Sequence, residues 1–225
     1  MPAITVADGV HARRPGTPGD RTAAAWSRPD RDLGARFVAF STGVIADAMH
    51  RLGAMDAGIR PMWSGAALTG SVLTVWVRAG DNARIHEAIA LVEPGDVLVI
   101  AAQGSLTHAV FGEFMALACL ARGVVGVVLD GALRDVAALA DLRLPAFARG
   151  ACAFGPLKEG TGEVGFPLAC GGVVCTSGDL VRADSDGVVV VPAGDAETVL
   201  RQAELIEQWE IERRKVLAAA VLGPA

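Results

Sequence analysis

The sequence predicts an α/β fold with a mixed sheet around a central β-α-β unit, and three observations indicate it. Residues 97–102 and 124–129 are short, continuous apolar runs, which are typical of strands buried on both faces. The segment between them, 112–122, has the length and apolar character of a helix. Glycine occurs 27 times and aromatic residues make up 5% of the chain, as expected for short elements joined by tight turns.

The other elements are assigned in chain order from apolar spacing and turn residues. Residues 1–32, rich in Pro, Gly, Arg and Asp, are predicted to form an extended N-terminal arm ahead of a main domain over 33–195. Apolar residues at helical spacing predict a first core helix over 37–52, which Gly53 ends. A charged helix over 196–225 is expected to pack on the domain or on a neighbouring subunit. The remaining predicted elements are a strand at 66–77, a helix at 82–91, a turn at 93–96, and short strands at 145–148, 151–154, 172–176, 180–183 and 188–191.

Composition and charge argue against several classes of protein. The formal net charge of -5 does not suit a surface for phosphate backbones. The longest apolar runs are far shorter than the roughly 20 residues that a membrane-spanning helix needs. Residues 1–32 lack the apolar core of a secretory signal. We therefore expect a cytoplasmic protein whose partners include neither nucleic acid nor membrane.

Four cysteines lie in apolar or Gly-rich segments: Cys119, Cys152, Cys170 and Cys175. In a cytoplasmic chain they are predicted to be small buried apolar residues rather than a disulfide framework. Metal binding by Cys170 and Cys175 is the alternative, but no second Cys or His pair with suitable spacing accompanies them.

Two polar dipeptides lie next to the ends of the predicted β-α-β unit. Gly112-Glu113 opens the helix, and Arg134-Asp135 follows the second strand. Twenty residues, 114–133, separate them, about what one helix and one return strand require. Because the carboxyl ends of parallel strands meet at one edge of a sheet, we expect both dipeptides to lie together there, where ligands commonly bind.

These residue types suit the chemistry of small oxo acids. Backbone N–H groups at the helix start can hold a carboxylate, and Gly112 permits close approach. The guanidinium of Arg134 can stabilise an oxyanion, while Asp135 offers a hard oxygen ligand for Mg²⁺ or Mn²⁺. Taken alone, however, an Arg-Asp pair after a strand is more often a helix cap with a surface ion pair than a catalytic site.

The acidic residue Glu113, the twenty-residue gap and Arg134-Asp135 closely resemble the motif of the RraA-like superfamily. That superfamily includes the 4-hydroxy-4-methyl-2-oxoglutarate/4-carboxy-4-hydroxy-2-oxoadipate aldolases. Similar segments extend over most of the chain after the N-terminal arm: Ser41-Thr42, Asp47-Ala48, 94–97, 126–135 and 184–192. The resemblance implies a swivelling-type β/β/α sandwich and a ring-shaped homotrimer, or a hexamer made of two such rings.

The resemblance also implies a class II pyruvate aldolase, which cleaves a 4-hydroxy-2-oxo acid to pyruvate and decarboxylates oxaloacetate through the same enolate. The backbone groups expected to hold substrate belong to Gly112, Glu113, Phe114 and Met115. Arg134 would contact the pyruvyl oxygens, and Asp135 would bind Mg²⁺ or Mn²⁺ directly or through water. The metal would polarise the ketone and stabilise the enolate.

Further roles are assigned to four residues through this resemblance. Glu113 would act as an acid/base helper, although some characterised family aldolases have Asp there, with an arm one methylene shorter. Family aldolases also take a glutamate from the C-terminal part of an adjacent subunit, for which Glu210 is the first candidate and Glu207 the second. A solvated helix surface is the alternative for both. Asn82 would reach the substrate or cap the helix over 82–91.

Three other features are interpreted without a catalytic role. His86 lies in a predicted helix and His108 in the approach to Gly112, and neither has a partner defined by a motif. The segment 184–187 lacks the length and terminal glutamate of a calcium loop, so an Asp-Gly hairpin is predicted there.

The sequence therefore predicts a metal-dependent lyase for small 2-oxo acids, with catalytic residues Arg134, Asp135, Glu113 and Glu210. The rival from another class is a non-enzymatic regulator, because the superfamily includes inhibitors of ribonuclease E that act by protein–protein contact. A third alternative is an enzyme for a different 2-oxo acid, since the motif recognises only the pyruvyl end.

Overall fold

The computed structural model of the protein describes residues 15–222, so residues 1–14 of the predicted arm and residues 223–225 of the predicted terminal helix lie outside the description. The described strands are β1 (Asp20–Thr22), β2 (Arg60–Pro61), β3 (Leu68–Val77), β4 (Asp96–Ala101), β5 (Ala109–Phe111), β6 (Gly126–Leu133), β7 (Ala146–Ala151), β8 (Gly162–Val164), β9 (Leu168–Cys170), β10 (Val173–Cys175), β11 (Leu180–Asp184) and β12 (Gly187–Val191). The described α-helices are α1 (Arg31–Arg36), α2 (Thr42–Ala48), α3 (Ala83–Leu91), α4 (Glu113–Leu120), α5 (Val136–Asp141) and α6 (Ala196–Leu222).

Most strands join one mixed sheet. Its main path runs β1-β8-β3-β4-β6-β7-β2, with β11 paired to β3 and β12, and β5 paired to the end of β6. β4 lies parallel to both β3 and β6, and α4 connects the β4/β5 region to β6. The predicted α/β fold with a central β-α-β unit is therefore confirmed.

The apolar runs are strands covered on both faces. In β4, Leu98 and Ile100 pack in the core cluster that includes residues of α3 and α4. Their neighbours Val97 and Val99 pack in the opposite cluster, with residues of β9 to β12. All four side chains are fully buried. Helices, central sheet and a second β-layer thus form the expected β/β/α sandwich.

The single core helix predicted over 37–52 is wrong. A 3₁₀ turn at Phe37–Ala39 ends at Phe40, whose backbone is extended with ψ 145°. The next residue, Ser41, is also extended, and its hydroxyl accepts the N–H of Val44 at 3.2 Å. This cap starts α2 as a new helix, because a Ser side chain replaces the missing backbone acceptor of the first turn.

Several short elements were not predicted. β1, β2, β5, β8 and β9 have only two or three residues each, too few to show a period in the sequence. The strands predicted at 145–148 and 151–154 are one strand, β7, and α5 follows β6 without a predicted counterpart. Within the predicted N-terminal arm, β1 pairs in parallel with β8.

The terminal helix packs on the domain through its first turns only. Ala196, Val199, Leu200 and Ala203 are buried in a cluster with residues of α2 and β12. Further along, Trp209 is 66% exposed. No helix in the described part of the chain has the length and apolar character needed to cross a membrane.

The predicted Asp-Gly hairpin is present between β11 and β12, and its first residue anchors α2. Asp184 pairs with Gly187 across the turn. Its carboxylate accepts the N–H of Thr42 at 2.8 Å and the hydroxyl of Thr42 at 2.7 Å. Burial raises the pKa of Asp184, but the hydrogen bonds from Thr42 and Asp186 outweigh it, so the pKa lies below its ordinary value.

We predict that Asp184→Asn lowers the free energy of unfolding by about 1–2 kcal/mol at neutral pH, because two hydrogen bonds to a charged acceptor are weakened. The folded pKa is depressed, so this contribution is complete above the unfolded pKa and is lost as pH falls through the folded value. Urea unfolding between about pH 7 and about pH 3 measures the difference. Asp186→Asn, in the same turn but exposed, is the control. A deficit that persists undiminished in acid contradicts the prediction.

Candidate active site

Two loops meet because their strands pair. β5 lies parallel to the end of β6, with Phe111 opposite Leu133. The N–H of Arg134 donates to the carbonyl of Phe111 at 3.0 Å. The residues that follow these strands, Gly112-Glu113 and Arg134-Asp135, therefore leave the sheet side by side. The structure brings the two predicted dipeptides together at the carboxyl edge of the sheet.

Asp135 links the two loops directly. Its Oδ2 accepts the N–H of Glu113 at 3.1 Å and lies 3.5 Å from Nε of Arg134. Asp135 occupies the N-cap position of α5 but makes no side-chain cap hydrogen bond, and its φ of 59° is left-handed. Asp135 therefore does not cap its own helix, and its left-handed backbone directs the carboxylate to the first N–H of α4 instead. The surface ion pair of the alternative interpretation is present, between Arg134 and Asp135.

Gly112 leaves no room for a side chain. A Cβ at this position would lie 2.6 Å from Oδ2 of Asp135 and 3.1 Å from Cγ of Arg134. The extended backbone of Gly112 leads directly into α4. Of the amides at the start of that helix, Glu113 donates to Asp135 and Met115 donates to Gly112. Within residues 15–222, the N–H of Phe114 has no acceptor and remains open to a ligand.

A small cavity of about 170 Å³ lies beside these residues. Its lining comprises Asn82, His86, Ala109, Val110, Phe111, Gly112, Glu113, Phe114, Met115, Arg134, Asp135, Pro156 and Lys158. The side chains of Arg134 and Asp135 are 43% and 38% exposed, so a ligand in the cavity can reach both. This volume suits a molecule of a few heavy atoms rather than a large cofactor.

Asn82 contributes a buried amide to this cavity. Its side chain makes no cap hydrogen bond to α3, where Asp81 accepts the N–H of Ala83 at 2.8 Å instead. The amide nitrogen of Asn82 lies 3.6 Å from Sδ of Met115, and among residues 15–222 its buried Oδ1 has no hydrogen-bond partner. A buried polar atom without a partner is unfavourable unless a ligand or water satisfies it. Among the alternatives for Asn82, the geometry favours ligand contact over capping.

The far wall of the cavity was not predicted. It contains His86, one helical turn after Asn82, and Lys158, in the loop before β8. Partial burial and the charge of Lys158 lower the pKa of His86. The sequence gives His86 no catalytic role, because no motif defines a partner for it. The sequence near Lys158 has no periodicity or motif from which its position could have been found.

Other candidate residues lie elsewhere in this chain. On α6, Arg214 pairs with Glu210 at 2.6 Å and with Glu207 at 3.6 Å, and neither glutamate lines the cavity. His108 packs edge-to-face on the ring of Phe154. A single copy of the chain therefore does not place Glu210 in the site.

The donor set for a divalent metal ion is small. Within the described residues, no group of three or more His, Cys, Asp or Glu side chains is arranged to hold a metal. Both contacts of the Asp135 carboxylate use Oδ2, which leaves Oδ1 as a ligand. Mg²⁺ commonly binds through one or two carboxylates and keeps several waters, or takes oxygens from its substrate. Asp135 fits that manner of binding.

Three of the four cysteines are buried, as predicted, and all four are free thiols. Cys152 differs, because it is only partly buried and lines a second hollow that shares Arg134 and Asp135. Its thiol donates to the carbonyl of Thr107 at 3.4 Å and accepts the N–H of Phe154 at 3.3 Å. The prediction of a buried apolar role is therefore wrong for Cys152, which lies at a strand end where side chains reach solvent.

The layered fold and the small cavity at the carboxyl edge of its sheet define the class: an α/β sandwich with a cavity between two strand-end loops. The model of the RraA-like family, described as Aldolase/RraA, matches residues 42–190. The chain belongs to the RraA-like family.

Relatives agree with this assignment. The chain is 35% identical, over 88% of its length and 94% of the relative, to a Halalkalibacterium halodurans protein named "Putative 4-hydroxy-4-methyl-2-oxoglutarate aldolase". An uncharacterized protein from Pseudomonas syringae pv. tomato superposes with a TM-score of 0.75 at 27% identity, covering 89% of this chain and 97% of that one. Streptomyces coelicolor RraAS2, described as an unusual member of the RNase ES inhibitor RraA family, superposes with a TM-score of 0.74 at 29% identity, covering 84% and 99%.

We predict that Cys152 is the first thiol to be alkylated in the folded protein. Burial raises the pKa of Cys119 and of Cys175 to about 12, and it also raises the pKa of Cys170. These three thiols are therefore neutral and shielded, and react only on unfolding. Iodoacetamide labelling followed by peptide mass spectrometry measures the order, with Cys152→Ser as the control. Equal labelling of Cys119 and Cys152 in the native state contradicts the prediction.

Proposed function

We propose that the protein is a divalent-metal-dependent aldolase that cleaves 4-hydroxy-2-oxo acids to pyruvate and decarboxylates oxaloacetate. One observation carries the proposal: Arg134 and Asp135 face the Gly112 turn in a cavity of small-molecule size. The similarity to a protein named as an aldolase of this type supports it. Substrate, metal and reaction are assigned on this basis, and we place the enzyme in the cytoplasm.

The pyruvyl end of the substrate binds at the two loops. Its carboxylate accepts the open N–H of Phe114 at the start of α4, where the helix dipole favours negative charge. The guanidinium of Arg134 donates to the 2-oxo oxygen, and the amide of Asn82 supplies a further polar contact. These groups hold their positions before substrate arrives, so that little reorganisation is needed when charge develops.

The reaction breaks the bond between C3 and C4 of the 4-hydroxy-2-oxo acid. The 4-hydroxyl gives its proton to an ordered water, C4 becomes the carbonyl of the second product, and the bonding electrons pass to the pyruvyl half as an enolate. C3 then takes a proton from an ordered water and yields pyruvate. With oxaloacetate the same bond breaks and CO₂ leaves. A divalent ion, when bound at Asp135, supplies polarisation of the 2-oxo group.

The residues of the chain assist each stage. Arg134 stabilises the negative charge on the enolate oxygen, because its guanidinium donates charge-assisted hydrogen bonds. Glu113, next to Asp135 through its own backbone N–H, helps to orient the water that exchanges protons. We propose that Glu210 completes the site from a neighbouring copy in a homotrimer or a hexamer, since it lies outside the cavity of its own chain.

The far end of the substrate meets a positively charged wall. Lys158 lines the cavity together with His86, and the lowered pKa of His86 keeps its imidazole neutral near pH 7. A cation opposite the pyruvyl site suits a substrate with a second carboxylate, as both 4-hydroxy-4-methyl-2-oxoglutarate and oxaloacetate have.

The second candidate function is a non-enzymatic regulator of ribonuclease E that acts by protein–protein contact. The similarity to Streptomyces coelicolor RraAS2 is the observation that favours it. Turnover distinguishes the two, because a regulator needs no reaction at the cavity.

We expect wild-type protein to release pyruvate from 4-hydroxy-4-methyl-2-oxoglutarate and from oxaloacetate with Mg²⁺ or Mn²⁺, and not after chelation with EDTA. Arg134→Lys and Asp135→Asn should each reduce kcat/KM by about 100-fold or more, since oxyanion stabilisation and metal binding are lost. A coupled lactate dehydrogenase assay measures pyruvate. Arg143→Lys, on a surface turn away from the cavity, is the control.

Two results contradict this proposal. Metal-independent turnover, or full activity in both site variants, places the reaction elsewhere. No turnover of either substrate, together with inhibition of ribonuclease E by the purified protein, selects the regulator.

A second prediction concerns the turn itself. Gly112→Ala adds a methyl group 2.6 Å from Oδ2 of Asp135, so the carboxylate and Arg134 must move apart from α4. We expect kcat/KM to fall by about 100-fold, the size associated with a displacement of about 1 Å, while circular dichroism remains native. Gly194→Ala, where a Cβ meets nothing within 4 Å, is the control. Wild-type kinetics in Gly112→Ala would falsify the close-approach argument.

A further inference from the structure

A segment outside the matched family region lies against the cavity's far wall. Residues 16–23, here called the brace, precede the matched region of 42–190. Within the brace, β1 pairs in parallel with β8, with Asp20 opposite Gly162 and Thr22 opposite Val164. The N–H of Gly162 donates to the carbonyl of Gly19 at 2.9 Å. The brace therefore extends the sheet directly beside the loop that carries Lys158.

The brace also holds α3 through a buried charge pair. Asp20 and Arg84 are each 5% exposed, and Nη2 of Arg84 donates to the carboxylate of Asp20. Arg84 lies on α3 between Asn82 and His86, and its Nε donates to the carbonyl of Gly160 at 3.1 Å. A charge removed from water is strongly unfavourable without a partner; Arg84 has one carboxylate partner on its own helix, Glu87 at 2.5 Å, and Asp20 is its partner on the brace. One guanidinium thus joins the brace, α3 and the Lys158 loop.

Asp81 joins the same loop to the start of α3. Its Oδ2 accepts the N–H of Glu159 at 2.5 Å and of Gly160 at 3.0 Å, while Oδ1 accepts the N–H of Ala83 at 2.8 Å. The loop also pairs with Gly80 through the N–H of Leu157 at 2.7 Å. Loop and helix therefore form one hydrogen-bonded wall, which is defined here as residues 81–86 and 156–160.

We propose that the brace positions this wall through the Asp20–Arg84 pair, and thereby sets how tightly the site holds the far end of its 2-oxo acid substrate. The part about the substrate rests on the proposed function, whereas the mechanical part does not. Asp20 and Arg84 are positioning residues, since neither lines the cavity. Loss of the pair leaves the contacts of Asp81 as the main tie between α3 and the Lys158 loop, so the wall loosens. Phe114 and Arg134, which hold the pyruvyl end together with Asn82, lie on other elements.

The full-length protein offers a matched pair of variants. Asp20→Asn removes the charge that faces Arg84. Arg28→Gln is the control, because Arg28 ties the same N-terminal region to Asp96 at 2.9 Å, with Asp96 1% exposed. That contact lies at the start of β4, at the edge of the sheet opposite the cavity. Both variants lose a charge pair with a buried member, but only one pair touches the wall.

Amide hydrogen exchange measures how often the hydrogen bonds of the wall open, without any assay of activity. The reporters are Glu159 and Gly160, whose acceptor is Asp81 rather than the brace, and Val99 in the core of β4 reports global unfolding. The measured quantity is the exchange rate of each reporter divided by that of Val99. We expect this ratio to be at least about tenfold higher in Asp20→Asn than in wild type, because the wall opens locally more often than the whole protein unfolds. In Arg28→Gln this ratio should stay at the wild-type value.

Steady-state kinetics measure the effect of the brace on KM and kcat. With oxaloacetate and Mg²⁺, we expect Asp20→Asn to raise KM by about tenfold and to leave kcat within about twofold, as for loss of a contact made equally in ground and transition states. A purely structural role would lower the amount of active enzyme and leave KM unchanged. Unchanged KM with an unchanged exchange ratio overturns the proposal.

Two outcomes separate the two proposals. Faster exchange in Asp20→Asn, together with a wild type that turns over no 2-oxo acid, upholds the mechanical role of the brace and removes the proposed function. Wild-type exchange in Asp20→Asn, with an active wild type, removes the brace alone. If Asp20→Asn does not fold, Glu163→Gln loosens the brace from β8, because Glu163 accepts the N–H of Gly19 at 2.7 Å and pairs with Arg21 at 2.8 Å. Wild-type exchange and KM in that variant overturn the proposal.

Discussion

The site depends on the parallel pairing of two strands of very different length. β5 has three residues, and it lies beside the last residues of β6 with Phe111 opposite Leu133. The two strands run in the same direction and end side by side, so the residues that follow them leave the sheet at the same point. The hydrogen bond from Arg134 to the carbonyl of Phe111, at 3.0 Å, then joins the two loops before any side chain takes part. Parallel strands need a long crossover, which α4 provides.

Local backbone strain at Asp135 follows from this arrangement. Asp135 is held at a left-handed φ of 59°, a conformation that side chains other than Gly, Asn and Asp rarely adopt. The strain directs its carboxylate onto the N–H of Glu113 rather than into its own helix. Gly112 is needed on the other side, because any Cβ there would occupy the space of that carboxylate. Sequence positions 112 and 135 are thus coupled through space.

Much of this could be predicted from the sequence, and the remainder has identifiable physical reasons. The buried runs of β4 and β6 and the polar dipeptides at their ends were recognisable because burial on both faces and strand-end polarity leave clear patterns. β5 was missed because three residues show no period, and the helix over 37–52 was misjudged because a Ser41 cap interrupts an otherwise continuous apolar spacing. Lys158 could not be found, since its loop is placed by Asp81 and by distant strand pairing. Glu210 lies outside the cavity of its own chain, so the role proposed for it from a second copy cannot be placed from one chain.

The two ends of the cavity are built by different physical means, and this difference has a functional consequence. At the pyruvyl end, the positions follow from strand pairing and from backbone amides. These depend little on the identity of the side chains, as long as Gly112 remains. At the far end, the positions of His86 and Lys158 depend on side-chain contacts of Asp81 and Arg84 and on the brace, which lies outside the matched family region. Side-chain contacts of this kind can change without disturbing the sheet. Under the proposed function, such a division would allow one pyruvyl site to be combined with different far ends, so that the wall and the brace would decide specificity for the whole substrate.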